Sequence, residues 1–127
     1  MSLLRKCILL VEDEPMLVLA LVDVLIEQGH LVRIAYNGAD ALRALKPGSA
    51  LDALVTDIRL PEVDGWAIAQ RAREVLPGVP VIYMSGDSAW EHPQKGVPRS
   101  TMMRKPFSLE AFAEEVTAAL SAAGQLS

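Results

Sequence analysis

The sequence predicts a doubly wound α/β domain, in which helices cover both faces of a parallel β-sheet. Two observations lead to this prediction: short apolar runs recur along the chain, and segments with helical periodicity separate most of them. Continuous apolar runs are typical of strands buried on both faces, and a 3.6-residue apolar period is typical of helices packed on one side. Strand–helix alternation favours parallel strands joined by crossover helices.

Local signals mark where the predicted elements begin and end. Pro15 suits the first turn of a helix, and Gly29 suits the position after its last turn. Ser108 is a suitable N-cap for the last helix. We predict strands at 7–11, 31–36, 51–56, 79–85 and 101–103. Before the last helix we predict three others, which run from 15 to the Gly29 cap, over 39–46 after an Asn37-Gly38 turn, and over 66–76. Pro-Gly pairs end the second and third of these helices.

The segment 87–100 lacks the apolar stripe of a helix. It contains Pro93, Gly96 and Pro98, and proline in a helix interior costs about 3 kcal/mol. We therefore predict a fourth helix that is short or irregular, with at most a turn or two near 88–91 and a loop after it.

Composition limits the class of protein. A chain of 127 residues suits a single domain, which we place at 1–127 with a core of about 6–122. The net charge of −4, without a Lys/Arg run, argues against nucleic acid as a partner. The single Cys7 excludes an internal disulfide, and no apolar stretch approaches the roughly 20 residues of a membrane span. We predict a cytoplasmic protein that does not contact a membrane.

Polar side chains stand at the ends of four of the predicted strands. Glu12 and Asp13 follow the first and Asp57 the third, Ser85 ends the fourth, and Lys105 follows the fifth. Ligands of open α/β sheets bind beyond the carboxyl ends of the strands, so these side chains are expected to meet at one edge. Each residue alone has an ordinary explanation as a cap, a turn or a surface charge. Together they predict a reactive site.

The clustered carboxylates predict a Mg²⁺ site, because a hard divalent cation relieves their mutual repulsion. Asp13 and Asp57 are the expected direct ligands, Glu12 acts through water, and the backbone carbonyl of Arg59 is a further ligand. Asp57 is the expected nucleophile, since a carboxylate is already ionised at neutral pH and needs no general base.

Phosphoryl transfer requires in-line placement and neutralisation of the equatorial oxygens. In the predicted site Mg²⁺ takes one phosphoryl oxygen, the ammonium of Lys105 a second and the hydroxyl of Ser85 the third.

The motifs resemble those of response-regulator receiver domains. The resemblance runs from about residue 6 to about 122 and implies a flavodoxin-like sheet of strand order 2-1-3-4-5. It further implies phosphorylation of Asp57, a cis peptide before Pro106, and a histidine kinase or histidine phosphotransfer protein as donor. On this reading the protein is a phosphoacceptor and not an enzyme, and it signals to an unknown downstream protein. The matching segments are Leu10-Val11-Glu12-Asp13-Glu14, Val55-Thr56-Asp57-Ile58-Arg59-Leu60-Pro61 with Asp64-Gly65, Pro80-Val81-Ile82-Tyr83-Met84-Ser85-Gly86 and Lys105-Pro106-Phe107.

Two features depart from the usual receiver pattern. Met102 occupies the position at which most receivers carry an aromatic switch residue, and the fourth-helix region is atypical. Trp90 in that region is read as a partly buried anchor, with a partner-binding surface as the alternative. Arg59 and Asp87 each lie two residues beyond a site residue, and we expect them to pair across the pocket and limit water access.

Alternative functions remain open at this point. The chain is predicted to be a stand-alone receiver, with a receiver excised from a hybrid kinase or a phosphate-sink module as alternatives. An aspartyl-phosphate phosphatase would need an acid where Arg59 stands, and a nucleotide-binding module would need a glycine-rich phosphate loop. The complete set of acids, hydroxyl and lysine argues against a degenerate receiver. His30 and His92 are interpreted as surface residues.

Overall fold

The computed structural model describes residues 5–126, in which five parallel strands form one sheet of order β2-β1-β3-β4-β5. This is the predicted doubly wound, flavodoxin-like architecture. The strands are β1 (Cys7–Val11), β2 (Leu31–Ala35), β3 (Ala53–Asp57), β4 (Val81–Ser85) and β5 (Ser100–Arg104). The helices are α1 (Pro15–Glu27), α2 (Gly38–Ala44), α3 (Gly65–Val75), α4 (His92–Lys95) and α5 (Leu109–Leu126), and a 3₁₀ turn (Ala89–Glu91) precedes α4.

The sheet has one apolar cluster on each face. One cluster lies under α1 and α5, where Leu21 and Phe112 are fully buried, and the other lies under α2 and α3, where Ile68 is fully buried. Strands β3 and β4 are buried along their whole length, as their continuous apolar sequences predict. The two layers hold the carboxyl ends of the central strands in fixed positions.

Side-chain N-caps define where three of the helices begin. The side chain of Asn37 accepts a hydrogen bond from the amide of Asp40, so Asn37 is the N-cap of α2 and not part of a free turn. Asp64 caps α3 in the same way through the amide of Ala67. Ser108 caps α5, as predicted, by accepting from the amide of Ala111.

The fourth-helix region is short, as predicted, but its helical part extends further than expected. The 3₁₀ turn Ala89–Glu91 runs directly into the single α-turn His92–Lys95. Pro93 lies within the first turn of α4, where its missing N–H costs nothing, so it does not act as the helix breaker that we expected. The irregular segment begins only at Gly96.

Three side-chain environments differ from the sequence-based interpretation. Trp90 is 71% exposed, so the interpretation as a buried anchor is wrong. His92 is half-buried and stacks on Trp66, so it is not a surface residue. His30 is also half-buried, and its Nδ1 accepts a hydrogen bond from the amide of Lys6.

Within residues 5–126, no helix combines the length and apolarity that a membrane crossing requires.

Candidate functional site

The predicted site residues lie together at the carboxyl edge of the sheet. Backbone hydrogen bonds beyond the ladders align the strand ends: the amide of Ile58 donates to the carbonyl of Met84, and the amide of Lys105 donates to the carbonyl of Ser85. Asp57 is the last residue of β3, not the first residue after it as we expected. Its backbone is therefore held in the sheet, which fixes where its carboxylate points.

Three carboxylates, which we call the acid triad, converge at this edge. One oxygen of each of Glu12, Asp13 and Asp57 lies within 4.8 Å of the others. Glu12 is 1% and Asp57 7% exposed, whereas Asp13 is open to solvent. A triad of oxygens with one open side suits a hard cation that keeps part of its water shell.

A close backbone contact packs the start of α3 against Asp57. A Cβ on Gly65 would lie 2.2 Å from the carbonyl oxygen of Asp57 and 2.9 Å from the Cα of Ile58. Only glycine therefore allows α3 to begin at this distance from the site. The amide of Gly65 also donates to the carbonyl of Ile58, which holds the turn after β3.

The Lys105 ammonium neutralises part of the acid triad. Its Nζ lies 2.9 Å from Oε1 of Glu12 and 3.4 Å from Oδ2 of Asp57. Burial alone would lower the pKa of Lys105, but the hydrogen bond to Glu12 and the charge of Asp57 outweigh burial and raise it. The amine is therefore a permanent cation at the site. The peptide bond that follows it, to Pro106, is cis.

The pKa of Asp57 is raised to about 6. Burial is the main cause, the charge of Glu12 adds to it, and Lys105 opposes both. Its Oδ1 accepts a hydrogen bond from the amide of Ile58 at 3.0 Å, which orients the carboxylate. At neutral pH the group is largely ionised and competent as a nucleophile.

Ser85 is buried at the end of β4, and its hydroxyl oxygen holds the following turn. It accepts hydrogen bonds from the amides of Ser88 at 2.7 Å and Asp87 at 3.3 Å. Ser88, 3% exposed, is a site residue that the sequence interpretation missed. The Ser-x-x-Ser spacing was the available signal, since a serine hydroxyl often binds the amide three residues later.

Arg59 and Asp87, each two residues beyond a site residue, form the expected ion pair. Nη2 of Arg59 lies 3.3 Å from Oδ2 of Asp87, and both side chains are mostly exposed. The buried Ser88 hydroxyl donates to Oδ1 of Asp87 at 3.1 Å and accepts a hydrogen bond from Nε of Arg59 at 3.4 Å. Ser88 thus joins the pair to the turn that Ser85 holds.

Met102 is half-buried on β5, opposite Tyr83 of β4 in the strand register. Tyr83 is fully buried and packs 4.8 Å from Trp66 between ring centroids. The position opposite Met102 on the neighbouring strand thus holds a buried aromatic ring. Sequence reasoning did not single out Tyr83, because a tyrosine within an apolar strand has no distinctive local pattern.

The chain matches the family model described as response regulator receiver domain over residues 8–117. It is 35% identical over 120 residues to the response regulator receiver protein CpdR of Brucella abortus, covering 93% of this chain and 99% of that protein. These two matches cover most of the chain and include all residues of the site.

Solved structures have the same fold. A response regulator receiver protein from Sinorhizobium medicae superposes with a TM-score of 0.90 at 41% identity, covering 96% of this chain and 99% of that one. The receiver domain of the sensor histidine kinase PA1611 from Pseudomonas aeruginosa, solved with magnesium in its active site cleft, superposes with a TM-score of 0.79 at 24% identity, covering 93% and 99%. The motif pattern, the acid triad and these matches agree, and the chain belongs to the response regulator receiver domain family of two-component systems.

Proposed function

We propose that this protein accepts a phosphoryl group onto Asp57 from a phosphohistidine, on a histidine kinase or a histidine phosphotransfer protein. The observation that carries the proposal is the position of Asp57, buried at a strand end within the acid triad and 3.4 Å from Lys105. In the transfer, an oxygen of the Asp57 carboxylate bonds to phosphorus. The phosphorus–nitrogen bond breaks, and its electron pair returns to the donor imidazole. Receiver domains are phosphoacceptors and not conventional enzymes.

The acid triad is the proposed Mg²⁺ site. Two buried carboxylates and an exposed one supply oxygen ligands without nitrogen or sulfur, the donor set that Mg²⁺ favours. Asp13 and Asp57 would bind the ion directly, Glu12 through water, and the backbone carbonyl of Arg59 remains a predicted further ligand. When bound, Mg²⁺ supplies neutralisation of phosphoryl charge.

Lys105 and Ser85 are the proposed contacts of the other phosphoryl oxygens. The ammonium already lies between Glu12 and Asp57, so it needs to move little to reach a group on Oδ2 of Asp57. The hydroxyl of Ser85 keeps its proton while its oxygen accepts from the turn, so the proton is available for donation. A cation held this close to the nucleophile before the reaction stabilises the developing charge with little reorganisation.

The Arg59–Asp87 pair is the proposed control on water access to the acyl phosphate. Each of its two side chains lies two residues beyond a site residue, and both bind Ser88. An exposed ion pair contributes at most about 1 kcal/mol, so the pair adjusts the lifetime of the phosphorylated state and does not decide whether phosphorylation occurs.

The proposed output is contact with another protein. A stand-alone regulator is supported by the match to CpdR, of which the chain spans 99%. A receiver excised from a hybrid kinase is the alternative. A phosphate sink uses the same chemistry without a downstream partner. The single-domain organisation and the cytoplasmic location stay predictions.

Phosphorylation by a small phosphoramidate donor with Mg²⁺, followed by intact mass, tests the proposal. The wild type is expected to gain one phosphoryl group and Asp57→Asn none, and EDTA is expected to abolish the gain. Asp23→Asn is the matched control, because Asp23 is an exposed carboxylate on α1 remote from the strand ends. Equal phosphorylation of wild type and Asp57→Asn would refute the assignment.

A further inference from the structure

A cavity of about 340 Å³ lies at the amino edge of the sheet, at the opposite end of the strands from Asp57. It opens where the starts of β4 and β5, at Val81 and Thr101, meet the C-terminal half of α5. Strands of five residues separate the two edges by roughly 13 Å. The residues that line this cavity include none of the phosphorylation site, and its volume is within the roughly 300–1,000 Å³ of small-molecule sites.

Two arginine side chains line the cavity without an acidic partner. Arg73 comes from the last turn of α3, and Arg99 from the turn before β5. In the described part of the chain, other residues form the ion pairs, and neither of these guanidinium groups belongs to one. Burial and the neighbouring charge of Arg99 lower the pKa of Arg73, although arginine keeps its charge in proteins. The two cations therefore repel each other, and a bound anion would relieve the repulsion.

Backbone carbonyls hold Arg73 in position. Its Nε donates to the carbonyl of Val79 at 2.7 Å, and its two terminal nitrogens donate to the carbonyls of Pro98 and Arg99. These bonds use three of the five N–H groups of the guanidinium, which leaves two for a ligand. The bond to the Arg99 carbonyl also holds the turn in which Arg99 has a φ of 56°, in the left-handed region that few residues with a side chain adopt. Both cations thus come from backbone that is fixed before a ligand binds.

Glu115 on α5 is the third charged side chain of the cavity. Two positive charges and one negative charge leave the lining with a single positive charge. A monoanion balances this charge. A dianion such as hydrogen phosphate would instead bring excess negative charge to the carboxylate of Glu115, which is unfavourable.

The wall that α5 contributes beside Glu115 is apolar. Four alanines from one face of the helix form it, and their methyl groups offer van der Waals contact to hydrocarbon but no hydrogen-bond partner. Such a wall suits a ligand that carries an apolar body better than a bare inorganic ion. The alanines are Ala118, Ala119, Ala122 and Ala123.

We propose that this cavity binds a small organic monocarboxylate. The carboxylate lies between the guanidinium groups of Arg73 and Arg99, whose planar donor pairs match its two oxygens, and the hydrocarbon body packs on the alanine face of α5. Because the cavity exists only in the folded chain, its ligand stabilises the fold. The inference does not rest on the proposed function, since it involves neither Asp57 nor Mg²⁺.

Titration of the full chain with sodium benzoate, followed by amide-resolved NMR at constant ionic strength without Mg²⁺, tests the proposal. The resonances of Val81, Thr101 and Ala119 are expected to shift saturably with a Kd on the order of 1 mM, while those of Ile58 and Lys105 keep their positions. Benzamide, which has nearly the same shape but no charge, is expected to bind at least about tenfold more weakly. Equal binding of benzamide, or shifts centred on Lys105, would overturn the proposal.

Removal of one cation tests the role of the arginine pair. Arg99→Gln is expected to weaken benzoate binding about fivefold, because the carboxylate loses one of its two charged partners. Arg33→Gln is the matched control, since Arg33 is an exposed arginine on β2 at the far side of the sheet, and it should stay within about twofold of the wild type. Equal benzoate affinity in Arg99→Gln and the wild type would contradict the assignment.

Glu115→Gln tests the charge balance by the opposite sign and provides a second measurement if Arg99→Gln does not fold. Loss of the carboxylate is expected to strengthen benzoate binding about threefold. Inorganic phosphate at pH 8 should bind the wild type at least about tenfold more weakly than benzoate and should gain affinity in Glu115→Gln. Phosphate that binds the wild type as tightly as benzoate, or benzoate binding that weakens in Glu115→Gln, would refute the choice of an apolar monocarboxylate.

Discussion

Replacing Asp57 with Asn should stabilise the metal-free protein at neutral pH. The pKa of Asp57 is 3.8 in an unperturbed chain and about 6 in the fold, so the folded state binds its proton more tightly than the unfolded state does. The group therefore favours the fold below about pH 4. That contribution is lost as the pH rises from 4 through 6, and above 6 the ionised carboxylate opposes folding.

The magnitude follows from the two pKa values. A tenfold difference in proton affinity corresponds to about 1.4 kcal/mol, so ionised Asp57 lowers the free energy of unfolding by about 3 kcal/mol above pH 6. Asn keeps the oxygen that accepts from the amide of Ile58 but carries no charge. Because Asn also deprives Lys105 of one partner, about 3 kcal/mol is an upper bound on the gain.

Urea unfolding of wild type and Asp57→Asn in EDTA, from pH 4 to pH 8, measures this gain. The two curves are expected to converge near pH 4 and to separate through pH 6, with the variant more stable above it. Mg²⁺ should then stabilise the wild type more than the variant, because ionised Asp57 is a proposed ligand. Asp23→Asn, on an exposed carboxylate, should follow the wild type. Parallel wild-type and Asp57→Asn curves would refute the reasoning.

Three further substitutions test the surroundings of the site. Lys105→Met leaves a buried carboxylate without its partner and is expected to lower the free energy of unfolding by about 1–3 kcal/mol in metal-free urea titrations, whereas unchanged stability would contradict the ion pair. Gly65→Ala forces a Cβ against the carbonyl of the phosphoacceptor, so it should cost about 1–3 kcal/mol and slow phosphorylation, while Gly124→Ala, with open space at its Cβ, should do neither. Arg59→Ala and Asp87→Ala should each shorten the acyl phosphate lifetime by no more than about fivefold in a dephosphorylation assay, and unchanged lifetimes in both would exclude the gate.

Much of the fold was accessible from the sequence, because its signals are local. The apolar run Cys7–Val11 predicts a strand, and the proline at the start of α1 predicts a helix, from a few neighbouring residues alone. The structure places both elements where the pattern predicts them. The acidic residues of the site were found for the same reason. Strand ends of a parallel sheet share one edge, so residues far apart in sequence could be assigned to one place from topology alone.

The errors arose where a residue's environment depends on partners distant in the chain. Trp90 and His92 lie two residues apart in one Pro/Gly-rich segment, yet one is exposed and the other is packed between Trp66 and Tyr83. Pro93 was read as a helix breaker, although its place in the first turn makes it harmless. No local pattern distinguishes these cases.

The sequence by itself determined that Asp57 stands at the end of a buried strand in a set of acids, a hydroxyl and a lysine, because strand periodicity and motif spacing are written along the chain. Only the tertiary structure decided how that set is connected to its surroundings. The bonds from Ser85 to the Ser88 turn and the packing of His92 against Tyr83 depend on distances between separate elements. Those distances are set by how helices and strands pack, and no pattern along one segment records them.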